Sequence, residues 1–289
     1  MKRPLGARLE DRLQSIKSRL ATLLRTVPVG HFANDFPGVV VMAPSYHYQS
    51  RRPEQQATLI SLKREFDALS EILTVVLAGA PKETTHALKS ANQSFRLWLE
   101  FGNNWGVSPD PVQNEAAMYK STEGLQGILE ILGFGSRQTI VVPDTNSIVD
   151  ECDPVKYREI ADAEEFTFLL LPTVLAELDD LKINHRNPEV REQAKRAIRR
   201  IKGWRQQGSL REGVRVDRTI TISAFHREPK MSDSLSWLDS EVNDDRLIAS
   251  VLEVQAESPS GSVVLVTGDI NLQNKADVAF ILTAEIEAA

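Results

Sequence analysis

Thr139-Ile140-Val141-Val142-Pro143-Asp144-Thr145-Asn146 is the stretch on which the reading of this chain turns. Its β-branched run suits a pleated, buried strand, predicted over about 138–143, and Pro143 with Asp144 marks where that strand stops. An Asp at the carboxyl end of a buried strand stands on the edge where open α/β sheets place their sites. The residues after it repeat the pattern. The residues before it do not.

Downstream, short apolar runs alternate with helical patterns, the signature of βαβ units and a mostly parallel sheet. A second strand is predicted over 166–171, ended by Pro172, with Thr173 capping a helix that holds Val174, Leu175 and Leu178. A basic helix spans about 188–206, and the alternating stretch 214–222 reads as an edge strand. Asn243 is placed as the cap of a helix carrying Leu247, Ile248, Val251 and Leu252. Val263-Val264-Leu265-Val266-Thr267 forms a further strand ended by Gly268-Asp269. Leu272, Ala276, Val278 and Ile281 supply a last helix and short strand.

Upstream, the chain is helical in pattern. Leu9, Leu13, Ile16, Leu20 and Leu23 space out one face of a helix over 6–27. Leu59, Leu62, Phe66, Leu69, Leu73 and Val76 do the same over about 54–77, and two such seams predict a small bundle. Further helices are expected at about 84–100 and 112–132. Between the first two helices lies an irregular piece, 28–52, with Val39-Val40-Val41 and Tyr46-His47-Tyr48-Gln49-Ser50-Arg51-Arg52. Aromatics beside arginines can stack on bases, although an ordinary loop with surface aromatics explains them as well. The same holds for Phe101-Gly102-Asn103-Asn104-Trp105-Gly106. The domain boundary falls at Gly133-Phe134-Gly135-Ser136, dividing an all-α N-terminal domain, 1–135, from an α/β domain, 136–289.

Length and composition set wider bounds. A chain of 289 residues with 42% hydrophobic and 26% charged residues is ordinary for a soluble globular protein. A net charge of −6 argues against coating nucleic acid by bulk charge, but steering depends on local distribution. Cys152 is the only cysteine, which excludes an intramolecular disulfide and a thiolate metal cluster. No apolar run approaches the roughly 20 residues that span a bilayer. Met1-Lys2-Arg3-Pro4 lacks the apolar core of a signal peptide, so a cytoplasmic protein is expected.

Carboxylates recur at the predicted sheet edge. Asp144 follows the first strand, Glu177 lies about a turn into the helix after the second, Asp244 and Asp245 open another helix, and Asp269 follows the last long strand. Right-handed crossovers in a parallel sheet bring all of these to one edge. Taken singly, each has an ordinary explanation, such as acids complementing a helix dipole. Together they repel one another unless a cation neutralises them, and Mg²⁺ or Mn²⁺ takes such oxygen ligands. One or two ions of this kind can activate water against a phosphodiester.

Four segments resemble the PIN-domain ribonucleases. Val141-Val142-Pro143-Asp144-Thr145-Asn146 looks like that family's opening strand, and Leu171-Pro172-Thr173-Val174-Leu175-Ala176-Glu177-Leu178-Asp179 is similar to its Glu-bearing segment. Asn243-Asp244-Asp245-Arg246-Leu247-Ile248-Ala249 resembles the third. Val264-Leu265-Val266-Thr267-Gly268-Asp269-Ile270-Asn271-Leu272-Gln273-Asn274-Lys275-Ala276 resembles the fourth, most like PIN domains joined to PhoH-type ATPases and those of RNA-decay endonucleases. The resemblance implies a three-layer α/β/α fold and metal-dependent hydrolysis of single-stranded RNA. By position it makes Asp144, Glu177, Asp245 and Asp269 the catalytic, metal-binding acids, with Asp244 an auxiliary metal ligand. Asn146, Thr267 and Asn271 become supporting polar groups. The alternatives are a non-cleaving PIN scaffold that binds RNA or protein, and a toxin-type PIN ribonuclease. A haloacid-dehalogenase-type phosphatase would need a second Asp where Asn146 stands, and a receiver domain would need an acidic pair where Ser136-Arg137 stands.

The substrate surface is expected on the basic stretch 182–205. Nine basic residues there face only Glu189 and Glu192, a local charge of +7. Lys182, Arg186, Arg191, Lys195, Arg196, Arg199 and Arg200 are the candidates for holding an RNA backbone, while Val190, Ala194, Ala197, Ile201 and Trp204 form the buried stripe. His185 and His226 are read as surface residues. A protein partner, or a second copy in a homo-oligomer, would be met through the N-terminal helical domain, whose residues resemble no family.

Overall fold

The computed structural model describes residues 3–31, 46–101, 107–133 and 138–286. Contacts divide the chain into two compact units, one of residues 9–131 and one of 132–289 together with 1–8. In chain order the first elements are α1 (Leu5–Thr26), β1 (Val29–His31), β2 (Tyr46–Tyr48), α2 (Pro53–Val76), α3 (Lys82–Glu100), α4 (Pro111–Ser121) and α5 (Glu123–Gly133). The seams read from spacing are the ones buried: Leu9, Leu13, Ile16 and Leu20 on α1, and Leu59, Leu62, Phe66, Leu69 and Leu73 on α2. Phe66 meets Phe95 of α3 edge-on, with ring centroids 4.8 Å apart. Arg12 and Arg19 of α1 both reach Glu65 of α2, at 3.3 and 2.7 Å.

Two details of this unit differ from the periodicity. The helix expected over 112–132 is two helices, α4 and α5, broken at Thr122, whose hydroxyl donates back to Tyr119 O. Tyr46-His47-Tyr48 is not loop but a strand, β2, paired antiparallel with β1. Its aromatics are engaged inside the unit: Tyr48 packs edge-on against Phe101, and Arg51 lies over the same ring at 4.9 Å. Burial pushes the Tyr48 hydroxyl's pKa well up. Val39-Val40-Val41 and residues 102–106 lie outside the described residues.

The second unit contains β3 (Thr139–Pro143), α6 (Thr145–Asp150), α7 (Arg158–Ala161), β4 (Phe166–Leu170), α8 (Pro172–Asn184), α9 (Pro188–Gln207), β5 (Val214–Arg215), β6 (Ile220–Ala224), α10 (Asn243–Glu257), β7 (Ser262–Val266), α11 (Ile270–Val278) and β8 (Leu282–Ala284). The six-stranded sheet runs β5-β6-β4-β3-β7-β8, parallel except for β5 against β6. Every residue of β3, β4 and β7 is buried, as a parallel sheet covered on both faces demands. The stretch expected as one edge strand over 214–222 is a hairpin. Its apolar alternation runs straight through the turn, so spacing alone hid the reversal; of these two strands β6 is inner and β5 is at the sheet edge.

Chain order and strand order part at β3. From it the chain proceeds to β4 and β6 on one side, then returns as β7 and β8 on the other. β3 therefore lies at a topological switch point, and the crevice outside its carboxyl end is the natural ligand position of such sheets. Phe168 of β4 ties two outlying pieces to the sheet, meeting Tyr157 edge-on at 4.9 Å and Trp204 of α9 at 6.4 Å. The Tyr157 hydroxyl is shared between Ser147 O and Glu151 O, which fixes the chain leaving α6. Val278, expected in the core, is exposed. No helix among the described residues is long and apolar enough to cross a membrane.

Candidate functional site

A cleft of about 500 Å³ opens at the carboxyl end of β3, and four separate segments contribute to it. Asp144 closes β3 and begins α6. Its backbone N–H donates to Val266 O of β7, and its side chain caps α6 by accepting from Ser147 N at 2.7 Å. The carboxylate is thus held at the seam of two parallel strands, 5% exposed. Asp269 is placed by the same device one strand over. It caps α11, accepting from Asn271 N at 2.7 Å and Leu272 N at 3.3 Å, and it stays exposed. Each acid satisfies helix N–H groups that have no partner in their own helix.

Glu177 comes from the second turn of α8. Thr145 Oγ1 donates to one of its oxygens and Asn243 Nδ2 to the other, at 2.8 Å for the latter. The expected cap assignments fail here for a common reason. α8 starts at Pro172 with Leu171 in the cap position, and α10 starts at Asn243 after Val242, neither with a side-chain cap. Asn243 instead faces the cleft and orients Glu177. Thr173 also lines the cleft, with a buried hydroxyl that lacks a partner among the described residues.

The two aspartates that open α10 have different surroundings. Asp244 lines the cleft; Asp245 does not. Asp245 is 6% exposed, accepts from Asp239 N at 2.9 Å and pairs with Lys275 Nζ at 2.7 Å. Lys275 lies 3.5 Å from Asp244 as well. Partial burial pulls the Lys275 ammonium's pKa down, but the hydrogen bond to Asp245 and the charge of Asp244 outweigh it and hold it above the ordinary lysine value. Asp244, expected as the auxiliary, is thus the one that lines the cleft, while Asp245, expected among the principal acids, is engaged by Lys275. Motif register could not show this, because adjacent residues at a helix start differ in direction by about 100°.

Asp180 joins the cleft one turn after Glu177, a position the sequence reading passed over. Five carboxylates then line it, Asp144, Glu177, Asp180, Asp244 and Asp269, against one guanidinium, Arg246, which is itself paired with Glu228 at 2.6 Å. Of the supporting polar residues expected, Asn146 lines the cleft. Thr267 is fully buried behind it, accepting from Asp269 N at 3.0 Å, and Asn271 is exposed outside it, contributing only its backbone N–H. Among the described residues no three His, Cys, Asp or Glu side chains already form a closed metal-binding group. The cleft thus offers hard oxygen donors spread around an opening rather than a collapsed cage.

None of the seven basic candidates, on α8, on α9 or in the turn between them, lines this cleft. Lys182 is paired with Asp179, Lys195 with Glu192, and Arg200 with Asp153 at 3.0 Å while lying over Trp204. Arg191 closes the turn between the two helices by donating to His185 O and Arg186 O. Arg186 and Arg196 make no ion pair with a described residue, and Arg199 bonds only to Lys195 O. Ala194, Ala197, Ile201 and Trp204 are buried as expected, and Val190 is half-buried. Cys152 is half-buried, and burial pushes its thiol's pKa up to about 12, away from nucleophilic or ligand chemistry.

A family model described as PIN domain matches residues 141–287. No curated protein gives a significant match to the chain. The match begins in β3 and includes every acid of the cleft.

Proposed function

The chain belongs to the PIN-domain family, and from that membership we propose that it is a divalent-metal-dependent ribonuclease acting on single-stranded RNA. The observation that carries this reading is the charge imbalance of the cleft: among the described residues five carboxylates line it against one arginine already paired with Glu228, and Lys275, 3.5 Å from Asp244, is itself held by Asp245. Two like charges 4 Å apart repel by about 4 kcal/mol at an effective dielectric of 20, so such a lining calls for a cation from outside. Carboxylate oxygens suit Mg²⁺ or Mn²⁺, and Mg²⁺ keeps several waters while using one or two carboxylates, which fits acids spread around an open cleft. Asp144, Glu177, Asp244 and Asp269 would hold one or two ions. When bound, such ions supply a water of lowered pKa and stabilise the leaving oxygen.

The chain's own residues set the geometry for that chemistry. Asp144 and Asp269 are fixed by helix N–H groups, so their oxygens cannot swing away when the cleft is empty of charge. Thr145 and Asn243 clamp Glu177 from both sides. Asp245 with Lys275 acts behind the cleft as a positioning pair for the start of α10. Of the seven basic candidates, Arg186, Arg196 and Arg199 have no ion pair with a described residue, and they would be the ones to receive phosphates. The protein would work on RNA rather than on a membrane.

Purified protein incubated with labelled single-stranded RNA should cleave it in Mn²⁺ or Mg²⁺ and stop on addition of EDTA. Binding without cleavage in either metal would favour a PIN scaffold instead. Replacing Arg196 and Arg199 by Ala should flatten the salt dependence of RNA binding. At about 0.7 per phosphate on a single strand, the slope of log K against log salt should shrink by roughly 1.4; an unchanged slope would remove α9 from the RNA path.

A further inference from the structure

A second cavity, of about 480 Å³, opens beside the cleft and shares Asn146, Leu181 and Asp269 with it. It is thus a neighbour of the acidic cleft, lined by residues of α6, the start of α9 and the chain after β8. Resting on the ribonuclease reading, we propose that this second arm is a nucleobase pocket that selects guanine at a position next to the scissile phosphate.

Charge decides what enters the arm. It is lined by Asp150, Asp269 and Glu285, and among the described residues no Lys or Arg lines it. A phosphate would be repelled there, whereas the hydrogen-bonding edge of a base that offers N–H groups would be drawn in. Apolar walls flank the acids: Val149, Leu181, Val190 and Ile286 give the flat faces of a base a surface to pack on. The volume falls within the roughly 300–1,000 Å³ typical of ligand cavities.

Asp150 is an exposed carboxylate on the lining of the arm. It ends α6, where the helix dipole disfavours an anion, and it makes no hydrogen bond or ion pair with a described residue. Glu285 is fixed at the rim by Gln273 Nε2 at 2.6 Å. His185 also lines the arm; its Nδ1 is engaged by the Asn187 backbone, 3.2 Å from N and 3.4 Å from O, which leaves Nε2 as the ring nitrogen open to a base carbonyl. Guanine matches this set best. Its ring N–H and 2-amino group point the same way and can both meet one carboxylate, while its carbonyl accepts. Adenine and cytosine offer only an exocyclic amine, and uracil offers a single N–H between two carbonyls that carboxylates repel.

Hexaribonucleotides of uridine carrying one guanosine or one inosine test this, since inosine lacks only the 2-amino group. Wild-type protein with Mn²⁺ should cut beside guanosine about tenfold faster, in kcat/KM, than beside inosine. Asp150→Asn should bring that ratio close to one. Fluorescence anisotropy on the Asp144→Asn protein, where bound RNA stays whole, should show the same preference in Kd. Equal rates or equal affinities for the two oligonucleotides overturn the pocket. Guanosine-selective binding with no cleavage by the wild type would keep the pocket and discard the nuclease reading.

Discussion

Asp144→Asn is expected to remove the proposed RNA cleavage while leaving the fold in place, with kcat falling by at least about 100-fold. The substitution separates chemistry from structure because the side chain has two tasks. As the cap of α6 it accepts from Ser147 N, and Asn caps helices about as well as Asp, so stability should change by no more than about 0.5 kcal/mol. As a cleft acid it contributes one negative charge, which Asn does not carry. Asp144→Ala would confuse the two, costing about 1 kcal/mol of capping in addition to the charge. Metal-dependent turnover of labelled RNA and urea denaturation, both on the Asn protein, provide the measurement. Full activity in the variant would show the cleavage to come from a contaminant.

The placement of Asp144 at the end of β3 was legible because strand and stop signals are local. β-branched residues ending in Pro-Asp specify both the strand and the position of the acid at its end, and β7 with Asp269 repeats the device. The helical seams were legible for the same reason: burial at Leu9, Leu13 and Ile16, or at Leu59, Leu62 and Phe66, follows from period alone. What was not legible depends on direction and on distant partners. Asn243 looked like a cap because Asn often is one, yet Glu177, 66 residues away, claims its side chain. Thr145 reads as filler after Asp144 until Glu177 is seen beside it. The reversal between β5 and β6 was masked by apolar alternation on both sides of the turn. The charge of the basic stretch was legible as a count, but composition does not reveal that Arg191 closes a turn and that Lys182 pairs with Asp179.

The division of labour between Asp244 and Asp245 gives the second large effect. Asp245 is buried against Lys275 and Asp239 N, so Lys275→Met would strand its charge in a place where water reaches it poorly. Removing one partner of a fully buried pair costs roughly 3–5 kcal/mol. Lys275 is 30% exposed, so water relieves part of this and a loss of about 2 kcal/mol is expected. Asp245→Asn should cost less, since an Asn oxygen still accepts from Asp239 N and the lysine left behind can turn toward solvent. The double variant should then be more stable than Lys275→Met alone, because neither charge remains. Asp244→Asn should behave in the opposite way, losing turnover with little change in urea stability, since its side chain's ion-pair partner among the described residues is Lys275 at 3.5 Å and it opens onto the cleft. If Asp245→Asn and Asp244→Asn instead lost turnover equally, with equal stability, the ion pair behind the cleft would not be a positioning device and both aspartates would have to act on the reacting groups.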